Sequence, residues 1–241
     1  FQYSEFDRII SPYRFFQENY QPSEVNSHNF RVGADYYADK KNTFGIIARG
    51  FVRDGGSESV NTTFQSDPLT GQTFSSFQTL NNKIFSRKNF SGNINWKHNF
   101  DSSGKTLNLD VDYSTFKLTN NSDIINKLQN GVSYINNQFI RNPVQSLVLK
   151  ADVEYPVNTK TKLEAGAKSS FATIDNFLSF FQKGVLDNVR STDFNYTENI
   201  NAVYSSITHD LDKWQLQGGL RAEQTIAKGT SQSQKVLARN Y

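Results

Sequence analysis

Apolar and polar residues alternate one by one along several stretches of this chain, and the spacing of an amphipathic helix is hard to find. The clearest stretch lies at residues 106–114, where the alternating residues are Leu107, Leu109, Val111 and Tyr113 against Asn108, Asp110, Asp112 and Ser114. A period of two places successive side chains on opposite faces of a β-strand. The stretch therefore predicts a strand with one apolar face and one polar face.

The same pattern recurs along the chain and, together with one further strand near residues 3–16, predicts about nine strands. The apolar positions of the recurring strands are Phe30, Val32, Ala34 and Tyr36; Phe44, Ile46, Ala48 and Val52; Phe90, Ile94 and Trp96; Leu147, Leu149, Ala151, Val153 and Tyr155; Leu163, Ala165, Ala167 and Phe171; Ile200, Ala202 and Tyr204; and Trp214, Leu216, Gly218, Leu220 and Ala222. Nearly the whole chain is therefore predicted to be β-structure.

The connections between these strands alternate between two kinds. Tight turns rich in Asp, Asn, Ser and Gly are predicted at residues 39–42, 101–104, 157–160 and 209–212. Long polar loops are predicted at 54–84, 119–142 and 178–193. The sequence therefore predicts a meander of hairpins, with all short turns at one end and all long loops at the other.

Strand length selects the architecture. A soluble strand has about 5–6 residues, whereas a tilted strand needs about 9–11 residues to cross a bilayer. Six segments keep β-like character for longer than that, at 88–100, 105–118, 144–156, 162–177, 194–208 and 213–227. Short turns on one side and long loops on the other are typical of outer-membrane barrels. The predicted fold is all-β, an antiparallel up-and-down meander that forms part of a transmembrane β-barrel.

The chemistry of the two faces assigns them to lipid and to water. The polar rows carry charges of both signs, at Arg31, Asp35, Arg49, Asp110, Asp112, Lys150, Asp152, Glu154, Lys168, Arg221 and Glu223. A charged side chain facing lipid costs about 2–4 kcal/mol near the bilayer midplane, so these rows are predicted to face a hydrated interior. Aromatic residues near strand ends are predicted to form interfacial girdles: Tyr36, Phe100, Tyr113, Tyr155, Phe171, Phe194, Tyr196 and Trp214.

The strand patterns resemble the C-terminal barrel of TonB-dependent-receptor-like outer-membrane proteins. The resemblance lies in residues 28–37, 39–45, 95–100, 109–113, 162–168 and, above all, in Trp214–Glu223. It implies a larger barrel of about 22 strands around a plug. Because nine strands would not close a barrel with an even strand number, residues 1–241 are expected to be a single segment from the middle of such a barrel, without its plug domain.

The sequence offers no motif that carries chemistry. Gly104-Lys105-Thr106 lacks the earlier glycine and the following helix of a phosphate-binding loop, and Asp110-Val111-Asp112 lacks the glycine and closing glutamate of a calcium loop. The three histidines, His28, His98 and His209, are far apart in sequence. No catalytic residue, metal ligand or cofactor is therefore predicted, the substrate-binding residues stay unassigned, and the chain is not expected to be an enzyme.

The composition and the distribution of charge limit the cellular location and the partners that the sequence predicts. The 26 basic and 23 acidic residues are spread along the 241-residue chain, which argues against nucleic-acid binding. No run of about 18 apolar residues exists that would form a membrane-spanning helix, and the opening at Phe1 lacks the features of a signal peptide. Outer-membrane lipid of a Gram-negative cell is the expected surrounding.

Three functions remain open at this point. The first is a wall segment of an outer-membrane receptor or transporter that takes up a nutrient or metal chelate; the resemblance implies TonB dependence, through N-terminal regions that would bind a TonB-type energy-transducing protein. The second is a non-transporting barrel that acts as a scaffold, an adhesin or an accessory subunit with other outer-membrane or surface subunits. The third is a secreted β-domain that binds carbohydrate through loop aromatics such as Phe180 and Phe181.

Overall fold

A computed structural model describes residues 2–129, 131 and 133–231, together with the backbone of 234–240. Across these residues the regular structure consists of twelve β-strands: β1 (Gln2–Ile10), β2 (Tyr13–Gln21), β3 (Ser23–Tyr37), β4 (Asn42–Ser66), β5 (Thr73–Asn99), β6 (Thr106–Leu128), β7 (Ser133–Pro156), β8 (Thr161–Gln182), β9 (Val185–Leu186), β10 (Thr192–Leu211), β11 (Trp214–Ser231) and β12 (Gln234–Asn240). In the part of the chain described, no helix has the length and hydropathy to cross a membrane.

The strands form one antiparallel up-and-down sheet, as predicted. The order in the sheet is β1-β2-β4-β5-β6-β7-β8-β10-β11-β12, with β3 paired to β4 and the two-residue β9 paired to β8. The path ends at β1 on one side and β12 on the other, so the described strands form an open sheet.

Strands β2 and β3 follow a single path that is interrupted at Pro22. Tyr20 lies opposite Val60 and Ser23 opposite Ser57, so the register against β4 is the same on both sides of the proline. Proline has no backbone N–H to donate to the ladder, although the Pro22 carbonyl still accepts a hydrogen bond from the Glu58 N–H at 3.3 Å. Pro22 therefore neither shifts the register of the strands nor introduces a turn.

The prediction of a single strand near residues 3–16 is wrong, while the eight strands around the four tight turns are confirmed. Residues 2–21 form the hairpin β1–β2, in which Ile10 lies opposite Tyr13 across Ser11 and Pro12. Proline fixes its φ angle and favours turns, and this local effect breaks the continuous strand that the alternation suggested. The strand count is accordingly higher than nine.

The predicted bounds of the three long polar loops are also wrong, because the strands continue into them and leave shorter connections. β4 runs to Ser66 and β5 begins at Thr73, so a turn of six residues replaces the loop predicted at 54–84. Likewise β6 runs to Leu128, β7 begins at Ser133 and β8 runs to Gln182. Asn, Ser and Thr are frequent in the extensions of β4 to β7, and where both faces meet water a strand needs no apolar alternation.

The long strands rise well beyond a bilayer. β4 has 25 residues, β5 has 27 and β7 has 24. At about 3.3 Å per residue and a tilt of about 45°, such a strand rises about 55–60 Å, roughly twice the apolar band of about 25 Å. In the predicted membrane barrel, the upper halves of these strands would therefore lie above the apolar band.

The register aligns the apolar residues into rows on one face and the charged residues into rows on the other. One outward row runs through Ile46, Ile94, Val111 and Leu149 on β4 to β7. One inward row runs through Asn95, Asp110, Lys150 and Lys168 on β5 to β8. The predicted separation of the faces therefore holds across strands that are distant in sequence.

Strand β10 is the exception to the predicted faces. Ala202 lies opposite Lys168 and Glu223, so it belongs to the inward row together with Tyr204, while Val203 and Ile207 face outward. Phe194 and Tyr196 share the inward parity and do not belong to an outer girdle. The sequence Ala-Val-Tyr places apolar residues at consecutive positions, so alternation alone could not choose the face.

Three of the four tight turns lie where they were predicted, and the fourth is at residues 212–213 rather than 209–212, because β10 continues to Leu211. At the turn between β3 and β4, the Asp39 carboxylate accepts hydrogen bonds from the Lys41 N–H at 2.7 Å and the Asn42 N–H at 2.9 Å. It also accepts one from the Asn42 side-chain amide at 2.8 Å. These bonds, the side-chain bond first, hold the pKa of Asp39 below its usual range.

Candidate ligand-binding wall

Strands β3, β4 and β5 bring four arginines together on the inward face. Arg31 on β3 lies directly opposite Arg49 on β4, and Arg53 on β4 lies directly opposite Arg87 on β5. All four side chains are exposed on this face. We call this group the arginine wall.

An aromatic row separates the two arginine pairs. Phe51 and Phe116 pack with their ring centroids 6.4 Å apart, on the row between Arg49 and Arg53. Above the second pair, the ring of Phe85 lies 5.3 Å from the Arg87 guanidinium. Guanidinium groups stack favourably on aromatic faces, so the Phe85 ring stabilises the position of the Arg87 guanidinium.

The arginine wall carries positive charge on neighbouring strands. Among the residues that the structure describes, none of the four guanidinium groups forms an ion pair with a carboxylate. Like charges directly opposite each other on neighbouring strands destabilise a sheet. The arrangement therefore holds repulsion that a bound anion would relieve.

A small concavity lies at the lower arginine pair. Its volume is about 210 Å3, and its lining includes Arg31, Arg49, Asn93 and Asp112. The Asn93 amide donates a hydrogen bond to the Asp112 carboxylate at 2.9 Å, which places the nearest negative charge at the edge of the concavity. The concavity is therefore lined by the guanidinium donors of Arg31 and Arg49 and by the Asp112 carboxylate, which accepts the hydrogen bond from Asn93.

The opposite part of the inward face contains three ion pairs. Lys150 pairs with Asp152 at 2.6 Å, Lys162 with Glu164 at 2.5 Å and Arg221 with Glu223 at 2.5 Å. The Tyr204 hydroxyl also donates a hydrogen bond to Asp152. Three cations on β7 to β11 are therefore paired, although Lys168 on β8, opposite Lys150, forms no ion pair among the described residues, and neither does any arginine of the arginine wall.

The residues that the sequence singled out do not assemble into a chemical centre. His98 contacts the Asn42 side chain at 2.8 Å and His209 contacts the Thr161 hydroxyl at 2.9 Å, while His28 lies on the outward row of β3. Gly104-Lys105-Thr106 forms the turn that leads into β6. In the described ranges, no group of three potential ligands is placed to hold a metal ion.

The sequence of residues 98–241 matches the outer membrane protein beta-barrel family. This chain belongs to that family. The match covers β6 to the end of the chain, and it places the protein in the outer membrane, as the alternation predicted. The family assignment also fixes the apolar rows as the lipid-facing surface, because the charged rows would be too costly in hydrocarbon.

Solved structures of larger barrels are similar to this outer-membrane barrel chain in outline. BauA, the ferric preacinetobactin receptor from Acinetobacter baumannii, aligns with 98% of this chain and 44% of its own at 11% identity, with a TM-score of 0.47. The ferric citrate transporter FecA, in its unliganded form, aligns with 98% of this chain and 39% of its own at 11% identity and a TM-score of 0.47. This chain therefore spans less than half the length of either protein.

A third solved structure is the outer membrane protease OmpT from Escherichia coli. It aligns with 95% of this chain and 85% of its own at 9% identity, with a TM-score of 0.27. No curated protein sequence matches the chain.

The arginine wall of this outer-membrane barrel protein is a set that the sequence did not reveal as a group. Arg31, Arg49 and Arg53 oppose apolar residues in the alternation of their predicted strands, whereas Arg87 lies outside the clear alternation. The pairing depends on the register of β3, β4 and β5 across 57 residues of chain. One signal was available in the sequence. All four arginines have odd residue numbers, which correspond to the polar face of their strands.

Proposed function

We propose that this chain is a wall segment of an outer-membrane receptor or transporter barrel that takes up an anionic nutrient or an anionic metal chelate in a TonB-dependent manner. The observation that carries the proposal is the arginine wall, four exposed guanidinium groups on the inward face that form no ion pair within the described residues. Arginine binds carboxylate and phosphate groups through paired N–H donors. The aromatic rows beside the guanidinium groups add apolar contact area for an organic ligand.

The position of the arginine wall suits a first contact with a ligand from outside the cell. Arg49 lies nine residues from the centre of the turn at 39–42, which corresponds to a rise of about 20 Å. Arg53 and Arg87 lie higher, at the level where the strands leave the apolar band. A ligand that descends along the wall would meet the upper pair first and the lower pair and its concavity next.

We also propose that the chain forms part of a larger closed barrel. Within the described sheet, β3 pairs with β4 alone, so one side of its 15 residues carries unpaired backbone groups. Unpaired N–H and C=O groups cost several kcal/mol each in hydrocarbon, so sheets that cross membranes close on themselves. A further strand would therefore pair with β3, and a plug and a TonB-type partner would act through regions outside this chain.

Binding of model ligands to the full-length receptor in detergent micelles tests the anion specificity. The probes are ferric citrate, an anionic chelate, and maltotriose, a neutral molecule, with binding followed by isothermal titration calorimetry. We expect ferric citrate to bind and the double substitution Arg49→Gln, Arg87→Gln to weaken binding by about tenfold or more for each arginine, since a hydrogen bond to a charged group contributes about 1.5–3 kcal/mol.

The matched control removes the same charge elsewhere. Lys40→Gln with Lys41→Gln alters the turn between β3 and β4, at the far end of the strands, and should leave binding unchanged. Binding of maltotriose in preference to ferric citrate, or a double arginine variant that binds as well as the parent protein, would refute the assignment of the arginine wall to anions.

The scaffold or accessory-subunit function is the second candidate, and the extracellular turns favour it. Leu69, in the turn between β4 and β5, and Val189, in the turn before β10, are each 94% exposed. Apolar side chains at the tips of such tall hairpins suit contact with a surface partner. Uptake of iron from ferric citrate that stops when the TonB-type protein is deleted would support transport, and uptake that is absent with or without that protein would favour the scaffold.

A further inference from the structure

Two lysines lie directly opposite each other on the outward face, on strands β5 and β6. Lys88 lies opposite Lys117 in the register of these strands. Lys88 has the same parity as Phe90 and Ile94, and Lys117 the same parity as Tyr113, so both side chains start from the lipid-facing rows. We call them the outer lysine pair.

The outer lysine pair forms no ion pair with the acidic residues that the structure describes. Both lysines are exposed, and within the described residues neither takes part in an ion pair. The nearest acidic residue of the same face is Asp54, one row higher on β4 opposite Ser86, and it makes no ion pair with Lys88. Directly opposed like charges destabilise neighbouring strands, so the pair calls for an anion from outside the chain.

The level of the outer lysine pair is the upper boundary of the apolar band. Lys117 follows Leu107, the first apolar residue of the outward row of β6, by ten residues. At about 3.3 Å per residue and a tilt of about 45° this separation is about 23 Å, close to the apolar band of about 25 Å. The two ammonium groups therefore lie at the headgroup level of the outer leaflet, with apolar rings directly below them.

We infer that Lys88 and Lys117 bind a phosphate group of an outer-leaflet glycolipid. Opposed residues of an antiparallel pair have Cα atoms about 4.5–5.5 Å apart, so both flexible side chains reach a single phosphate. Long lysine stems lie along apolar surface while their ammonium groups stay at the polar boundary. Phe90 and Tyr113, which lie below the pair on the same strands and are 43% and 42% exposed, continue the surface on which the acyl chains of the same lipid would pack.

A membrane lipid rather than free phosphate is the occupant that this geometry favours. A free anion would need only the two ammonium groups, whereas the site joins them to a lipid-facing apolar surface at one defined depth. Basic side chains at a membrane surface contribute about 1 kcal/mol each to binding of anionic lipid. For the pair this corresponds to about 30-fold in affinity, at about 1.4 kcal/mol per tenfold.

The test uses the full-length protein in dodecyl maltoside micelles and follows its thermal unfolding during titration with three probes. These are a bis-phosphorylated glucosamine glycolipid, the same glycolipid after removal of both phosphates, and inorganic phosphate. We expect the phosphorylated glycolipid to raise the unfolding temperature at the lowest concentration, and Lys88→Gln with Lys117→Gln to raise the concentration required by about 30-fold. Lys88→Arg with Lys117→Arg should restore most of the effect.

Three results would overturn the inference. Equal protection by the dephosphorylated glycolipid would show that acyl packing alone acts, and equal protection by inorganic phosphate would identify a free-anion site. A double glutamine variant with unchanged lipid response would remove the lysines from the site. The variant Lys40→Gln, Lys41→Gln serves as the charge-matched control, and because the outer lysine pair faces away from the arginine wall, ferric citrate binding should be the same in the lysine variants and in the parent protein.

Discussion

Gly166 allows a side chain to cross it, and replacing it with alanine should break a contact between strands two places apart. The Tyr204 hydroxyl on β10 reaches over Gly166 on β8 to donate to the Asp152 carboxylate on β7. A Cβ atom at residue 166 would lie 2.5 Å from the Tyr204 ring and 2.6 Å from the Asp152 carboxylate. Neither distance is tolerated between non-bonded atoms, so in Gly166→Ala the tyrosine must swing away.

The expected cost follows from the contact that is lost. A hydrogen bond to a charged group contributes about 1.5–3 kcal/mol, and replacing a glycine within a strand by alanine returns about 0.5–1 kcal/mol. Gly166→Ala should therefore lower the free energy of unfolding by about 1–2 kcal/mol. Asp152 keeps its ion pair with Lys150 at 2.6 Å, so its charge does not become isolated.

Urea unfolding of the full-length protein in lipid vesicles, followed by tryptophan fluorescence, measures this change. Gly218→Ala is the matched control, because nothing lies within 4 Å of a Cβ at that outward position, and it should be neutral or slightly stabilising. Tyr204→Phe removes only the hydroxyl, and in the Gly166→Ala background it should add little further loss. Equal stability of Gly166→Ala and Gly218→Ala, or fully additive losses in the double variant, would refute the crossing contact.

Two further predictions concern a turn and a face. The hydrogen bonds from Asn42 and Lys41 lower the pKa of the Asp39 carboxyl. The stability that this carboxylate contributes to the folded state is therefore present above its unfolded pKa and is lost as the pH falls through the lowered folded pKa. In urea unfolding, Asp39→Asn should be less stable than the parent protein at pH 7, and the difference should vanish at strongly acidic pH. The chain has no cysteine, so a water-soluble maleimide should label Ser206→Cys in the lumen and leave Val203→Cys unlabelled in lipid; the reverse pattern would show that the faces of β10 are exchanged.

The lower half of the barrel wall was predictable from sequence, because lipid on one side and water on the other impose alternation. Leu109 and Asp110 differ in environment for that reason alone, and local residues such as Asp39 mark the turns. The upper half was not predictable in the same way, since strands such as β5 above Lys88 have water on both faces and no pattern is imposed. Ala202 and Val203 show the limit within the membrane, where two adjacent apolar residues leave the face undetermined.

The candidate site was harder to predict than the fold because it depends on pairing between strands. Each arginine of the wall is an ordinary polar-face residue in its own strand. Only the register sets Arg31 against Arg49 and Arg53 against Arg87. Charges of both signs are mixed along the chain, and only the sheet shows which of them pair: Lys150, Lys162 and Arg221 have carboxylate partners, whereas within the described residues the four arginines of the wall have none.

The arginine wall and the outer lysine pair contain adjacent residues of β5, Arg87 and Lys88. Successive residues of a strand point to opposite faces, so Arg87 faces the lumen and Lys88 faces the outer leaflet at nearly the same height. A register slip of one residue would exchange them and would also turn Phe90 into the lumen. Both proposed anion sites therefore depend on the same register of β5. An insertion of one residue between Arg87 and the turn at 101–104 should weaken both ferric citrate binding and the glycolipid response. A substitution of Arg87 alone should weaken only ferric citrate binding, and a substitution of Lys88 alone should weaken only the glycolipid response.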